Sequence, residues 1–163
     1  MKTVLITGCS SGFGLETARH FLDRNWKVVA TMRTPRADVL PPSDRLHVLS
    51  LDVTNPESIR EAVGAAGPID VLVNNAGFGA ASPAELVPIA TVRELFETNI
   101  IGTIALTQAV LPQLRQRKTG VVVNVTSSAG DLVEGDVPGI ARARGHRDRA
   151  GGHPAMNAPT AGG

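Results

Sequence analysis

The segment that decides the fold reads Thr7-Gly8-Cys9-Ser10-Ser11-Gly12-Phe13-Gly14. It follows the apolar run 3–6 and precedes a helical pattern over residues 15–24. Glycines let a backbone turn tightly and approach a phosphate, and the free N–H groups and dipole of a helix N-terminus attract anions. The order of strand, glycine-rich turn and helix therefore predicts a phosphate site. Its spacing, Gly-x-x-x-Gly-x-Gly, differs from the standard Gly-x-Gly-x-x-Gly fingerprint, so the segment alone is also compatible with a capped turn.

Length and composition indicate an ordinary globular protein. The chain has 163 residues, of which 42% are hydrophobic, and this is enough for one domain with a substantial core. Its 16 basic and 15 acidic side chains nearly balance, so charge gives no indication of a nucleic-acid partner or of a membrane partner. The apolar run after Met1 and Lys2 is too short for a signal peptide, and no stretch is apolar enough to span a membrane.

Cys9 is the only cysteine and cannot form an internal disulfide. This cysteine usage suits a reducing compartment, and we predict a cytoplasmic protein. A position near a helix N-terminus can lower the pKa of a thiol. A small spacer in the loop is nevertheless favoured over a reactive thiol.

Apolar segments alternate with helical patterns as far as residue 130. Strands are predicted over residues 3–6, 28–32, 46–51, 69–73 and 121–125, and the longer helices over residues 15–24, 56–66 and 91–117. Strands separated by helices predict an α/β fold, a doubly wound, Rossmann-like parallel sheet with strand order 3-2-1-4-5.

Details of two helices are also predicted. Thr54 or Asn55 is expected to cap the helix that opens with Pro56, and Pro112 is expected to kink the 91–117 helix. Residues expected near one face of that long helix are Val92, Leu95, Phe96, Thr103, Leu106 and Val110.

The character of the sequence changes after Gly130. Residues 131–163 contain ten Gly or Pro among 33 residues, five of Leu, Ile, Val or Met, and no aromatic residue. Such a composition buries too little apolar surface to offset the entropy of ordering. We therefore predict a dinucleotide-binding domain over residues 1–130 and a disordered tail over residues 131–163.

Five motifs within residues 1–130 together resemble the classical short-chain dehydrogenase/reductase family. They are the loop 7–14, Asp52-Val53, Asn74-Asn75-Ala76-Gly77, Asn99-Ile100-Ile101-Gly102 and Val123-Asn124-Val125-Thr126-Ser127-Ser128. The resemblance implies an NADP-binding oxidoreductase that transfers hydride between NADP(H) and the carbonyl or secondary alcohol (C=O or CH–OH group) of a small molecule. The tail does not follow the family pattern, which predicts C-terminal truncation or a frameshift after about residue 130. The downstream DNA would test this hypothesis.

The resemblance also implies which residues contact the cofactor. Gly8, Gly12 and Gly14 would line the pyrophosphate, and Asp52 would accept a hydrogen bond from the adenine amino group. Asp52 is also placed to cap the next helix, and the two roles are compatible. Asn75 would brace the fourth strand. The full implied set is Thr7, Gly8, Ser10, Ser11, Gly12, Phe13, Gly14, Arg33, Asp52, Val53, Asn75, Ala76 and Gly77.

The end of the second strand bears on the choice of cofactor. NAD-binding members of the family carry an acidic residue there, which meets the ribose hydroxyls. Here the position is Met32, followed by Arg33, whose guanidinium can pair with a 2′-phosphate. The resemblance therefore favours NADP(H) over NAD(H). A solvated loop charge is the alternative interpretation of Arg33.

Two catalytic residues are implied. Ser127 matches the serine that hydrogen-bonds the substrate carbonyl or alcohol, and Ser128 is the alternative in the same doublet. Asn99 matches the asparagine that organises a water relay in the family. Asn is a poor helix former, so a mid-helix Asn is expected to serve hydrogen bonding rather than helix stability.

The proton donor of the family is missing from this sequence. Family members carry Tyr-x-x-x-Lys about a dozen residues after the serine, whereas this chain has no Tyr and no Lys after Lys118. His146 and His153 lie in the glycine-rich tail, where nothing holds them for catalysis and no third ligand accompanies them for a metal. We therefore predict no metal site and an inactive chain. A non-catalytic dinucleotide-binding protein and a non-functional gene remnant are the alternatives.

The predicted edge of the sheet indicates self-association. Residues 121–125 are β-branched valines except for Asn124, and none of them is charged. This composition is typical of a strand that pairs with another chain. The 91–117 helix would add exposed apolar side chains. The arginines of the tail, Arg142, Arg144, Arg147 and Arg149, lack interleaved aromatic residues and do not indicate nucleic-acid binding.

Overall fold

A five-stranded parallel sheet forms the centre of the fold. The computed structural model describes residues 1–80 and 83–126. The strand order is β3-β2-β1-β4-β5, which confirms the predicted doubly wound fold. The strands are β1 (Thr3–Thr7), β2 (Lys27–Met32), β3 (Leu46–Ser50), β4 (Val71–Asn74) and β5 (Val121–Asn124). Ser127 and the predicted tail over residues 131–163 lie outside the described residues, and the boundary near residue 130 stays a prediction.

Helices cover both faces of the sheet because every residue of β1 is buried and alternate side chains point to opposite faces. Val4 and Ile6 pack in one cluster with Ala18 and Leu22. Leu5 packs in the other cluster with apolar residues of the second and fourth helices. The helices are α1 (Gly12–Asp23), α2 (Pro56–Ala66), α3 (Ile89–Phe96) and α4 (Thr103–Arg117).

The cap of α2 is Asn55, not Thr54. The Asn55 side-chain oxygen accepts hydrogen bonds from the backbone N–H groups of Glu57 and Ser58, at 2.9 and 3.2 Å. Pro56 occupies the first turn, where the missing N–H costs nothing. Of the two predicted caps, the structure therefore selects Asn55.

The prediction of a single regular helix over residues 91–117 is wrong for the middle of that range. A π-helical segment over Glu97–Gly102 separates α3 from α4. Phe96, predicted on the inner face, is 60% exposed, whereas Leu106 and Val110 are fully buried as predicted. Pro112 lies inside α4, which continues to Arg117, so the break in the helical pattern lies at the π segment and not at the proline.

Apolar side chains are exposed on the last described strand and on the long helical stretch. Val121 and Val123 of β5, together with Val125, are exposed along the strand, as are Ile100 and Ile104 on the helices. Among residues 1–80 and 83–126, no helix has the length and apolar character needed to cross a membrane.

A partly buried ion pair between Arg117 of α4 and Asp70, just before β4, lies at the end of the sheet opposite the glycine-rich loop. Arg117 donates to Asp70 Oδ1 at 2.9 Å, and the Thr3 amide donates to Asp70 Oδ2 at 2.7 Å. Burial raises the pKa of Asp70, but the hydrogen bonds from Thr3 and Arg117 and the nearby positive charges of Arg117 and Lys2 lower it below its ordinary 3.8. The carboxylate is thus held in its charged form.

We expect Asp70→Asn to lower the free energy of unfolding at pH 7 by about 1 kcal/mol, because Arg117 loses its charged partner in a partly buried site. Since the pKa of Asp70 is lower in the folded state than in the unfolded state, the carboxylate stabilises the fold above the unfolded pKa. That contribution is lost as the pH falls through the folded pKa. Urea unfolding between pH 3 and pH 7 measures the difference.

The matched control is Arg60→Ala, which removes a fully exposed ion pair with Glu57 and is expected to leave the pH dependence of the free energy of unfolding nearly unchanged. A gap between the wild type and Asp70→Asn that stays equally large at pH 3 would contradict the assignment.

Candidate cofactor site

The glycine-rich loop after β1 adopts backbone conformations that L side chains rarely adopt. Gly8 has φ of +72° and Gly12 has φ of +59°. At Gly12 an added Cβ would meet no atom within 4 Å, so the space over the loop is open. The glycine at position 12 is therefore required by its backbone conformation, and the open space beside it leaves room for a ligand.

Gly14 is required by close packing. A Cβ on Gly14 would lie 2.3 Å from the Gly8 carbonyl oxygen and 2.5 Å from Asn75 Nδ2. A Cβ on Gly8 would lie 3.0 Å from Ala76 Cα. The loop thus rests directly on the turn that follows β4, and the first and third glycines make this contact possible.

The Thr7 hydroxyl joins the loop to the same turn. Thr7 Oγ1 accepts hydrogen bonds from the backbone N–H groups of Asn75 and Ala76, at 2.9 and 2.8 Å. In return, Asn75 Nδ2 donates to the Thr7 carbonyl oxygen at 2.9 Å. Thr7 is 2% exposed and its partners are half-buried, so these bonds are partly buried. Asn75 therefore braces β4 against β1. Sequence reasoning did not identify the two hydrogen bonds that the Thr7 hydroxyl accepts.

The N-terminus of α1 is open to an anion. The N-cap residue Ser11 makes no hydrogen bond from its side chain to the helix, and the first turn contains no acidic residue. Ser10, Ser11 and Phe13 are exposed, Phe13 to 82%. The N–H groups of this turn and the positive end of the helix dipole thus face solvent without a competing carboxylate, which fits a pyrophosphate.

Cys9 is a spacer, the interpretation favoured from the sequence. Its side chain is fully buried, and its Sγ donates to the Ile6 carbonyl oxygen at 3.3 Å. Burial raises the pKa of the Cys9 thiol to about 12, against a smaller lowering from a backbone hydrogen bond with Thr31. The thiol therefore stays protonated at neutral pH and is not nucleophilic.

Asp52 lies at the carboxyl end of β3 but does not cap α2. Its Oδ1 accepts hydrogen bonds from the Thr54 amide at 2.9 Å and from the Thr54 hydroxyl at 2.7 Å. These two bonds lower its pKa, with a smaller contribution from the charge of Arg33. Asp52 is thus an ionised carboxylate, which can accept a hydrogen bond from an amino group. Met32 is buried and Arg33 is exposed, at the end of β2 as predicted.

Asn99 lies within the π segment and pairs with the backbone of Phe78. Asn99 Oδ1 accepts from the Phe78 N–H at 3.1 Å, and Nδ2 donates to the Phe78 carbonyl oxygen at 2.8 Å. A Cβ on Gly77 would lie 3.0 Å from Asn99 Oδ1. The structure thus brings Asn99 to the turn after β4, on the side of the helix that faces the sheet, in agreement with its predicted inner-face position. Its amide uses its oxygen and one of its two N–H groups in these bonds to the turn.

Gly102 allows the helix to approach Val53 closely. A Cβ on Gly102 would lie 2.7 Å from Val53 Cγ2 and 2.9 Å from the Val53 carbonyl oxygen. Val53 is buried beneath this contact. Sequence reasoning missed this role of Gly102, although its place after Asn99 in a helical stretch, where Gly is unfavourable, was a usable signal.

A polar network that was not predicted links β4, β5 and α4. Asn74 is 5% exposed, and its Nδ2 donates to Thr107 Oγ1 at 3.0 Å and to Asn124 Oδ1 at 2.9 Å. Thr107 in turn donates to the Thr103 carbonyl oxygen, and the Thr103 hydroxyl donates to the Asn99 carbonyl oxygen. A buried polar side chain is stable only when it is hydrogen-bonded, so this network fixes the pairing of β4 with β5.

The structure thus gathers the loop 7–14, Asn75, Ala76, Gly77 and Asn99 around the carboxyl ends of β1 and β4. Asp52, Val53 and Arg33 lie at the ends of the neighbouring strands β3 and β2. Ligands of doubly wound sheets bind at these strand ends. Ser127 follows β5 in sequence but lies outside the described residues, so its place relative to Asn99 stays a prediction.

Known proteins are similar to this chain in sequence. A sequence model of a family described as short chain dehydrogenase matches residues 2–138. Retinol dehydrogenase 8 of Bos taurus is 40% identical over 143 residues, covering 79% of this chain and 45% of that protein. The chain spans about half the length of the relatives it matches.

Solved structures agree with the sequence similarity. A serine dehydrogenase in a closed form complexed with NADP+ has a TM-score of 0.73 at 34% identity, covering 80% of this chain and 56% of that one. The 3-ketoacyl-(acyl-carrier-protein) reductase from Brucella melitensis, complexed with NADH, has a TM-score of 0.73 at 29% identity, covering 79% of this chain and 58% of that one.

Proposed function

The chain belongs to the short-chain dehydrogenase family, and on that basis we propose that it binds NADP(H) and descends from an oxidoreductase acting on a carbonyl or secondary alcohol. The observation that supports dinucleotide binding best is the loop itself. Gly8 and Gly14 pack against Asn75 and Ala76, and the first turn of α1 carries neither a side-chain cap nor an acidic residue. When bound, the nicotinamide cofactor would supply or accept a hydride.

The residues of this chain would bind and orient the cofactor rather than react with it. The loop 7–14 would hold the pyrophosphate, Asp52 and Val53 the adenine, and Ala76 and Gly77 would leave room for the ribose. Asn99 would organise water, and Ser127 would hydrogen-bond the substrate. A fluorescence titration with NADPH tests the binding proposal, since a folded chain that binds neither NADPH nor NADH would contradict it.

We propose further that NADP(H) is preferred, because the end of β2 presents exposed Arg33 and no carboxylate. One related structure is complexed with NADP+ and the other with NADH. The proposed preference for NADP(H) therefore rests on the residues at the end of β2. Arg33→Ala is expected to weaken NADPH binding about tenfold and NADH binding less than twofold, since a charged hydrogen bond is lost. Equal dissociation constants of the wild type for NADPH and NADH would contradict the preference.

A non-catalytic dinucleotide-binding protein is the second candidate, favoured by the absence of Tyr from the sequence. The intact mass of the protein from its native source distinguishes the candidates. A mass equal to that of this 163-residue chain would favour the non-catalytic protein, and a larger mass would favour the oxidoreductase. A gene remnant is the third candidate, and a chain that neither folds nor binds NADPH would favour it. The cytoplasmic location stays a prediction.

Self-association through β5 is also proposed, because its exposed valines lie on the last strand of the described sheet. A lysine at such an edge opposes pairing with another chain. We expect the wild type to associate in light-scattering experiments, and Val123→Lys to reduce the associated fraction severalfold. Thr119→Lys, which places the same charge just before β5, is the control. A monodisperse wild-type monomer with β5 protected from hydrogen exchange would contradict the proposal.

A further inference from the structure

Arg36 contacts the glycine-rich loop from the connection between β2 and β3. Its Nη2 donates to the Ser10 carbonyl oxygen at 2.8 Å, across 26 positions of sequence. Ser10 lies between Cys9, which is buried, and the open N-terminus of α1. The guanidinium of Arg36 therefore lies against the loop that would hold the pyrophosphate.

The backbone around Arg36 is anchored on both sides. Residues 37–39 form a 3₁₀ turn, and Arg19 of α1 donates to the Val39 carbonyl oxygen at 3.2 Å. Leu40, just beyond the turn, is 3% exposed and packs in the core with Ala18 and Leu22. Because the connection is fixed to α1, the side chain of Arg36 starts from a defined position rather than from a loose loop.

Among residues 1–80 and 83–126, no carboxylate forms a salt bridge with Arg36. In the described part of the chain, Arg19, Arg60 and Arg117 each form a salt bridge with a carboxylate, whereas Arg33 and Arg36 do not. A guanidinium has five N–H donors, and the bond to Ser10 uses one of them. The other donors and the full positive charge are therefore available to a second acceptor.

We infer that Arg36 is a specificity-determining residue for the 2′-phosphate of the cofactor and acts together with Arg33. This inference rests on the proposed binding of NADP(H). In doubly wound folds the pyrophosphate lies at the loop after the first strand and the adenosine ribose at the end of the second. Arg36 joins these two places, because it belongs to the connection after β2 and touches the loop after β1. A phosphate with a charge near −2 pairs strongly with two arginines.

Binding of 2′,5′-ADP and 5′-AMP to the 163-residue chain, measured by calorimetry, tests the inference without turnover. The two compounds differ only in the 2′-phosphate. Arg36→Ala is expected to weaken 2′,5′-ADP binding about tenfold and to change 5′-AMP binding less than twofold. Arg36→Lys, which keeps the charge, is expected to recover part of the loss. NADPH and NADH titrations are expected to follow the same pattern.

Arg24→Ala is the matched control, since Arg24 is an exposed arginine beyond the other end of α1, about 18 Å along the helix, and is expected to change neither affinity. Equal losses for 2′,5′-ADP and 5′-AMP in Arg36→Ala would overturn the inference, because Arg36 would then only support the loop. Unchanged binding in Arg36→Ala, with the preference lost in Arg33→Ala, would overturn it while the proposed cofactor stands. A wild type that binds no dinucleotide would overturn both.

Discussion

No NADPH-dependent carbonyl reduction is expected from the 163-residue chain, because the sequence contains no Tyr and no Lys after Lys118. A positioned general acid contributes about a hundredfold to ten-thousandfold to such a reaction. Among the described residues, Asn99 is the implied catalytic residue, and its side chain holds the Phe78 backbone through its oxygen and one N–H group. The hydride acceptor would therefore develop negative charge without a proton donor.

The measurement is the loss of NADPH absorbance with a panel of aldehydes and ketones, using protein that has first been shown to bind NADPH. Bound cofactor without turnover is the expected result. The control variant is Ser127→Ala, which removes the implied substrate contact. Robust turnover of the purified chain that disappears in Ser127→Ala would contradict the prediction, because a chain without Tyr would then have a working active site.

Gly14→Ala is expected to abolish measurable dinucleotide binding and to lower the free energy of unfolding by about 3 kcal/mol, at the upper end of overpacking effects. The new Cβ would lie 2.3 Å from the Gly8 carbonyl oxygen, which is backbone and cannot rotate away. Relief of the clash requires the loop to separate from Asn75, and this movement disturbs the proposed pyrophosphate site and the contact between β1 and β4 together.

Two other glycines provide matched controls. Gly64 lies in α2 with no atom within 4 Å of an added Cβ, so Gly64→Ala is expected to stabilise the fold by up to about 1 kcal/mol through helix propensity. Gly12→Ala has space but a φ of +59°, so a smaller loss than for Gly14→Ala is expected. Urea unfolding and NADPH titration measure both quantities. A Gly14→Ala variant as stable as Gly64→Ala would show that the loop packs differently.

The sheet could be predicted because its signals are local. β1 is a continuous apolar run, each strand is followed by turn residues, and Asn55 precedes Pro56 as a cap should. The phosphate site in the loop could be predicted equally well, since three glycines between a strand and a helix indicate a tight turn whose backbone can approach a phosphate. Membership of the doubly wound class then follows from the alternation of strands and helices.

The contacts between distant residues could not be predicted in the same way. The Thr7 hydroxyl meets the amides of Asn75 and Ala76 across 68 and 69 positions, and no local pattern encodes that distance. Asn74 belongs to the Asn74-Asn75-Ala76-Gly77 motif, but its bond to Thr107 depends on where α4 crosses the sheet. The contact of Arg36 could not be predicted either. Its partner, Ser10, is 26 positions away, and the acceptor is a backbone oxygen rather than a complementary side chain.

The π-helical segment acts as one inserted residue in an otherwise regular helix. One helical residue corresponds to about 100° of rotation, so the insertion sets the angular phase of α3 relative to α4. This offset accounts for Phe96 facing solvent while Asn99 reaches Phe78. Helix length, rather than residue identity alone, thus aligns Asn99 with the strand ends. A point substitution in this segment can leave Asn99 aligned with the strand ends. A one-residue deletion between residues 97 and 102 would keep the helix but rotate Asn99 away from them.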